Sequence, residues 1–94
     1  MRPSCTATVL VEDDRVRVTR FDFAPGAETG WHRHGHEYVI TALTDCPMLL
    51  EEPGGGSRLV PVPAGTVYRR SAGVEHNVVN DGTVLMSFIE LELL

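Results

Sequence analysis

Ninety-four residues carrying a formal charge of −5 leave room for one domain, residues 1–94, and argue against a nucleic-acid binder, which needs a basic face to displace counterions. An apolar fraction of 43% with nine glycines fits a packed, turn-rich chain and excludes disorder, collagen and coiled coil. No apolar run approaches the roughly 20 residues of a membrane-spanning helix, and Met-Arg-Pro-Ser-Cys opens without the apolar core of a signal peptide, so a cytoplasmic setting is expected.

In chain order, residues 6–11 form a first strand candidate, apolar on both faces. Residues 15–23 alternate polar and apolar side chains, the pattern of a half-buried strand, with Arg15, Arg17 and Arg20 read as its wet face. Pro25 and Gly26 end it. Residues 31–44 become apolar after Glu37, and Trp31 reads as a core anchor. Residues 46–52 make a short strand in which Pro47 is tolerated at the start or on a sheet edge. The glycines at 54, 55 and 56 turn the chain into residues 59–62, and Pro63, Ala64 and Gly65 turn it again.

Residues 67–70 and 74–79 are further strands, and Asn80-Asp81-Gly82 predicts a tight hairpin into a last strand over 83–94. Eight or nine short strands with no long helix predict an all-β sandwich or barrel. Cys5 and Cys46 lack the close spacing of a zinc knuckle or redox pair, and reduced thiols are expected.

The four histidines carry the chemistry. Alternate residues of a strand project to one face, so His32 and His34 offer two imidazoles to one point, and His76 from a distant strand would close a metal site. Imidazole suits zinc, copper, iron and nickel. Without its surroundings, the segment over residues 32–37 would read more simply as a solvated polar loop.

Two further patterns surround these histidines. Gly26 is followed after five residues by His32, and His34 stands two residues further on. Gly65, Gly73, His76 and Asn80 then follow at fixed intervals. The chain here resembles the cupin superfamily, whose two motifs it matches at seven of ten positions across residues 26–80. Tyr38 stands where the family has a ligand glutamate, Asp45 where it has a glycine and Ser71 where it has a proline.

The resemblance implies a cupin-type double-stranded β-helix, or jelly-roll, barrel. It also implies one divalent transition metal, Fe, Zn, Mn or Ni, on His32, His34 and His76. Tyr38 in the glutamate slot leaves three neutral histidines, as in the three-histidine cupins that include thiol dioxygenases. Whether Tyr38, Glu37 or His36 supplies a fourth ligand stays open at this point.

Tyr68 and Arg70 share a parity that would face the pocket, where a guanidinium fork recognises carboxylate or phosphate, while Arg69 and Glu75 would face outward. The function expected is a metal-dependent oxygenase, isomerase or lyase acting on a small polar molecule, with Tyr38 as hydrogen-bond donor or general acid. The alternative is a non-catalytic ligand-binding or sensing module. A homodimer is expected, because residues 6–11 and 84–94 are apolar strand segments that invite pairing.

Overall fold

The computed structural model describes residues 1–94 and contains nine strands and no helix. They are β1 (Thr6–Glu12), β2 (Val16–Phe23), β3 (His32–Arg33), β4 (Glu37–Ala42) and β5 (Cys46–Glu51), then β6 (Ser57–Val62), β7 (Val67–Arg70), β8 (Glu75–Asn80) and β9 (Met86–Leu93). One sheet runs β1-β2-β9-β4-β7 and the other β3-β8-β5-β6, with every strand pair antiparallel. This is the arrangement expected of a double-stranded β-helix.

The period-two pattern sets the core. Tyr38, Ile40 and Ala42 of β4 are buried while Glu37 is exposed, and Cys46, Met48 and Leu50 of β5 are buried in the same alternation. Phe88 of β9 packs between Phe21 and Phe23 of β2, with ring centroids 5.4 Å apart in both pairs. Tilted aromatic contacts of this kind contribute about 0.5–1.5 kcal/mol each beyond their buried area.

Several local expectations need correction. The alternation in β2 changes phase at Thr19 and Arg20. Thr19, Phe21 and Phe23 therefore share a strand face with Arg17, whose side chain stays 38% exposed, close to the 45% of Arg20, but does not simply extend into water. Its guanidinium instead grips the Glu92 carboxylate through two bonds of 2.9 Å. Trp31 is 56% exposed rather than a core anchor, because it precedes β3 on the outer side of the turn that delivers His32 inward. The segment 31–44 divides into β3 and β4, and β9 begins at Met86 instead of residue 83; it is paired on both sides, by β2 and β4, so the segment 84–94 offers no free edge for a second copy.

The Asn80-Asp81-Gly82 turn is not a hairpin. β8 pairs with β3 and β5 while β9 pairs with β2 and β4, so the chain crosses here from one sheet to the other. Asn80 shapes the crossing: its side-chain NH₂ donates to Phe23 O (3.1 Å) and Val84 O (2.9 Å), and its Oδ1 accepts from Gly82 N (2.9 Å). Gly82 has no room for a side chain, since a Cβ there would lie 2.6 Å from Pro47 Cγ.

Asn80→Ala strands three backbone groups around a side chain that is 1% exposed. We expect it to cost about 2–4 kcal/mol in urea unfolding with the slope of the transition unchanged. A loss below about 0.5 kcal/mol would show that water replaces the amide without penalty.

Candidate metal centre

The cavity lies between the sheets and has a volume of about 290 Å³, at the small end of the range for small-molecule sites. Strand periodicity delivers the three histidines to it. β3 and β8 pair so that His32 lies directly opposite His76. His34 follows two residues later and is held by backbone bonds to Val74 O (2.8 Å) and from Gly73 N (2.7 Å). The Nε2 atoms of His32 and His34 are 3.0 Å apart, and those of His34 and His76 are 3.2 Å apart. One donor atom from each of the three histidines lies within 4.8 Å of the others.

The donor chemistry fits a cation. His32 Nδ1 lies 2.9 Å from the carbonyl oxygen of Gly30, which only accepts, so the ring proton sits on Nδ1 and Nε2 presents a lone pair. Burial holds the ring of His76 at a pKa of about 3 and that of His34 at about 4, with the charge of His32 the next cause in both. Both imidazoles are therefore neutral at physiological pH. Two nitrogens bound about 2.0–2.1 Å from one ion sit roughly 2.8–3.4 Å apart at angles between a right angle and the tetrahedral one. The observed spacings fall in that interval.

Tyr38 is 2% exposed and stacks on His34 with centroids 3.8 Å apart. Its hydroxyl is the only buried side-chain nitrogen or oxygen without a hydrogen-bond partner. Burial pushes its pKa up to about 12, so the phenol remains protonated. Tyr68 and Arg70 line the cavity from β7, whereas Arg69 faces outward and bonds to Glu37. Glu37 and His36 are exposed and stand outside the three-histidine group, and Glu75 is exposed too.

The chain's positive charge is carried by eight arginines and no lysine. Arg2, Arg17, Arg20, Arg58 and Arg69 pair with carboxylates, and Arg70 is the arginine on the cavity wall, with no acidic partner. The remaining two arginines, Arg15 and Arg33, are exposed. Cys5 lines the cavity and Cys46 is buried in the core, and both are free thiols.

Glu90 is a site residue that sequence reasoning missed. It is 8% exposed on the cavity wall, with Oε1 3.8 Å from His34 Nδ1. Burial, and then the neighbouring Glu92, push its pKa up to about 7. The available signal was parity: Glu90 shares a strand face with Met86 and Phe88.

A cupin domain from Bordetella pertussis Tohama I, solved by crystallography, superposes with a TM-score of 0.95 at 44% identity, covering 100% of this chain and 97% of that one. The chain belongs to the cupin superfamily. This cupin is also 52% identical over 92 residues to the β-alanine degradation protein BauB of Pseudomonas aeruginosa, a match covering 98% of this chain and 96% of that protein. A cupin superfamily protein of Desulfitobacterium hafniense DCB-2 shares the fold at 15% identity, with a TM-score of 0.75 over 100% of this chain and 81% of that one. No protein-family model matches the chain.

Proposed function

We propose that this cupin is a metal-dependent enzyme acting on a small carboxylate. The observation that carries the proposal is the convergence of three imidazoles, with successive Nε2 atoms 3.0 and 3.2 Å apart. His32, His34 and His76 would hold one divalent transition metal, Fe, Zn, Mn or Ni, leaving positions open for substrate because structural sites are usually closed by a fourth protein ligand. Such an ion, when bound, supplies Lewis-acid or oxygen-activating chemistry.

The other roles belong to the chain's own groups. Arg70, without an acidic partner, takes the substrate carboxylate in a forked contact. Tyr68 borders that subsite on the same strand. Tyr38 donates its unpartnered phenolic proton to a substrate oxygen beside His34, as hydrogen-bond donor or general acid. The apolar residues Ile40, Met48 and Phe88 exclude water from the space between. Kinship with a protein named for β-alanine degradation supports a three-carbon acid of that breakdown as substrate, and the reaction class is oxygenase, isomerase or lyase.

Protein loaded separately with iron, zinc and manganese should turn over one of the three-carbon 3-amino, 3-oxo or 3-hydroxy acids. Arg70→Met should raise KM for it by about 100-fold, the loss of a charged hydrogen-bond pair. Retained KM in Arg70→Met would remove Arg70 from the binding subsite. No turnover with any metal would remove the enzymatic reading.

Assembly as a cytoplasmic homodimer belongs to the same proposal. β1 is a sheet edge whose seven residues are all exposed, and Val9, Leu10 and Val11 are each at least 50% accessible. Such an edge invites pairing with a second copy. Light scattering should return twice the chain mass of 10.3 kDa, and Val9→Lys should halve it. A mass of one chain for the unaltered protein contradicts the dimer.

A further inference from the structure

We infer that Asn77, which is neither a metal ligand nor a fixed position of either cupin motif, positions His32 for metal binding. The inference rests on the metal reading above. Asn77 is 2% exposed on β8, next to His76 but bonded away from it. Its side-chain NH₂ donates to Glu28 Oε1 and Glu51 Oε1, both at 2.8 Å. Carboxylates accept and cannot donate to it, so they fix the direction of the amide. Its Oδ1 must then point the other way, where it accepts from Gly30 N at 2.9 Å and lies 3.3 Å from Thr29 Oγ1, whose single proton it shares with Gly30 O at 2.9 Å.

Those two residues hold His32. Gly30 O lies 2.9 Å and Thr29 Oγ1 3.2 Å from His32 Nδ1. Val78 N donates to Thr29 Oγ1 at 3.1 Å and anchors the hydroxyl from the other side. The chain of contacts therefore runs from two carboxylates through Asn77 to a turn, and from the turn to the ring proton of His32. Arg2 closes its outer end by pairing with Glu51 at 2.6 Å and Glu28 at 3.5 Å, which offsets the repulsion of two carboxylates sharing one amide. The result is a fixed tautomer, with His32 Nε2 left free to meet the Nε2 of His34. Groups that orient a ligand histidine in this way typically alter metal affinity by about 10–100-fold.

Asn77→Asp is the sharpest test, because it keeps the shape and the acceptor for Gly30 N but replaces the donor with an oxygen facing Glu28 and Glu51. Zinc affinity, measured by competition with a chromophoric chelator, should fall about 10–100-fold. In metal-free protein, imidazole ¹⁵N spectra should show His32 in the Nδ1–H form and, in the variant, a tautomer mixture at His32 with the signals of His34 and His76 unchanged. Thr29→Val cuts the same chain more gently and should lose about tenfold; it decides the matter if Asn77→Asp fails to fold. Unchanged zinc affinity overturns the proposal, as does a joint shift of all three imidazoles, which would mean that β8 itself has moved. If the unaltered protein binds no zinc, the metal reading fails and takes the proposal with it, and the competition assay records that outcome separately.

Discussion

Replacing His76 with alanine is expected to remove most of the zinc-dependent part of the protein's thermal stability. A ligand present at about 1,000 times its dissociation constant stabilises the folded state by about 4 kcal/mol, provided the unfolded chain does not bind it. Removal of one of three ligands should weaken zinc binding by more than roughly 100-fold, beyond the loss typical of an orienting partner. At the same zinc concentration the stabilisation left to the variant should then be no more than about 1.4 kcal/mol, so zinc and chelator should separate its melting temperature by at most about a third as much as in the unaltered protein. Equal zinc-induced shifts in both proteins would place the stabilising ion elsewhere.

Acid should weaken the metal-free fold through the same imidazoles. The folded-state pKa values of His34 and His76, about 4 and 3, lie below the ordinary 6.5 because of burial and the charge of His32. As pH falls below 6.5 the unfolded chain takes up protons that the folded chain refuses. Stability is therefore lost at about 1.4 kcal/mol per pH unit for each imidazole, down towards the folded pKa.

Glu90→Gln should act with the opposite sign. The folded pKa of Glu90, about 7, lies above its ordinary 4.5, chiefly through burial and secondarily through Glu92. Between those values the folded protein keeps a proton that the unfolded chain releases, so the carboxyl becomes a growing burden as pH rises from 4.5 to 7. Above that range the burden is complete, on the order of 3 kcal/mol. In chelator-treated protein at about pH 8, Glu90→Gln should therefore melt roughly 10 °C higher than the unaltered chain. At pH 4.5 the two should coincide. Melting curves that differ equally at both pH values would show that the substitution acts through packing and not through ionisation.

The three-histidine cluster is legible in the sequence for a simple physical reason. Alternation in a strand and a fixed pairing partner are enough to bring His32, His34 and His76 together, and both leave regular spacing in the chain. The inward parity of Tyr38, Tyr68 and Arg70 is read in the same way. Glu90 is hidden because a run of alternating glutamate and leucine reads as a solvated face. Here the parity is inverted: glutamates 90 and 92 share the inward face of β9, where Glu90 reaches the cavity wall with its pKa raised by burial and Glu92 is partnered by Arg17.

The pairing of Arg17 with Glu92 is hidden for the same reason, since charge in an alternating strand is ordinarily assigned to solvent. Asn77 leaves no trace in the sequence, because its role depends on Glu28, Glu51 and Gly30, which approach it from distant parts of the chain. The Asp-Gly pair at 81 and 82 carries local turn chemistry, but which sheet the next strand joins is decided by tertiary pairing.

X-ray absorption spectroscopy of zinc-loaded protein tests the central claim most directly, in parallel with the His32→Ala, His34→Ala and His76→Ala variants. The account predicts one zinc per chain with three imidazole nitrogens at about 2.0–2.1 Å, and loss of bound zinc in each variant. A sulfur neighbour at about 2.3 Å, which would point to Cys5, would contradict it, as would a full complement of zinc in any of the three variants.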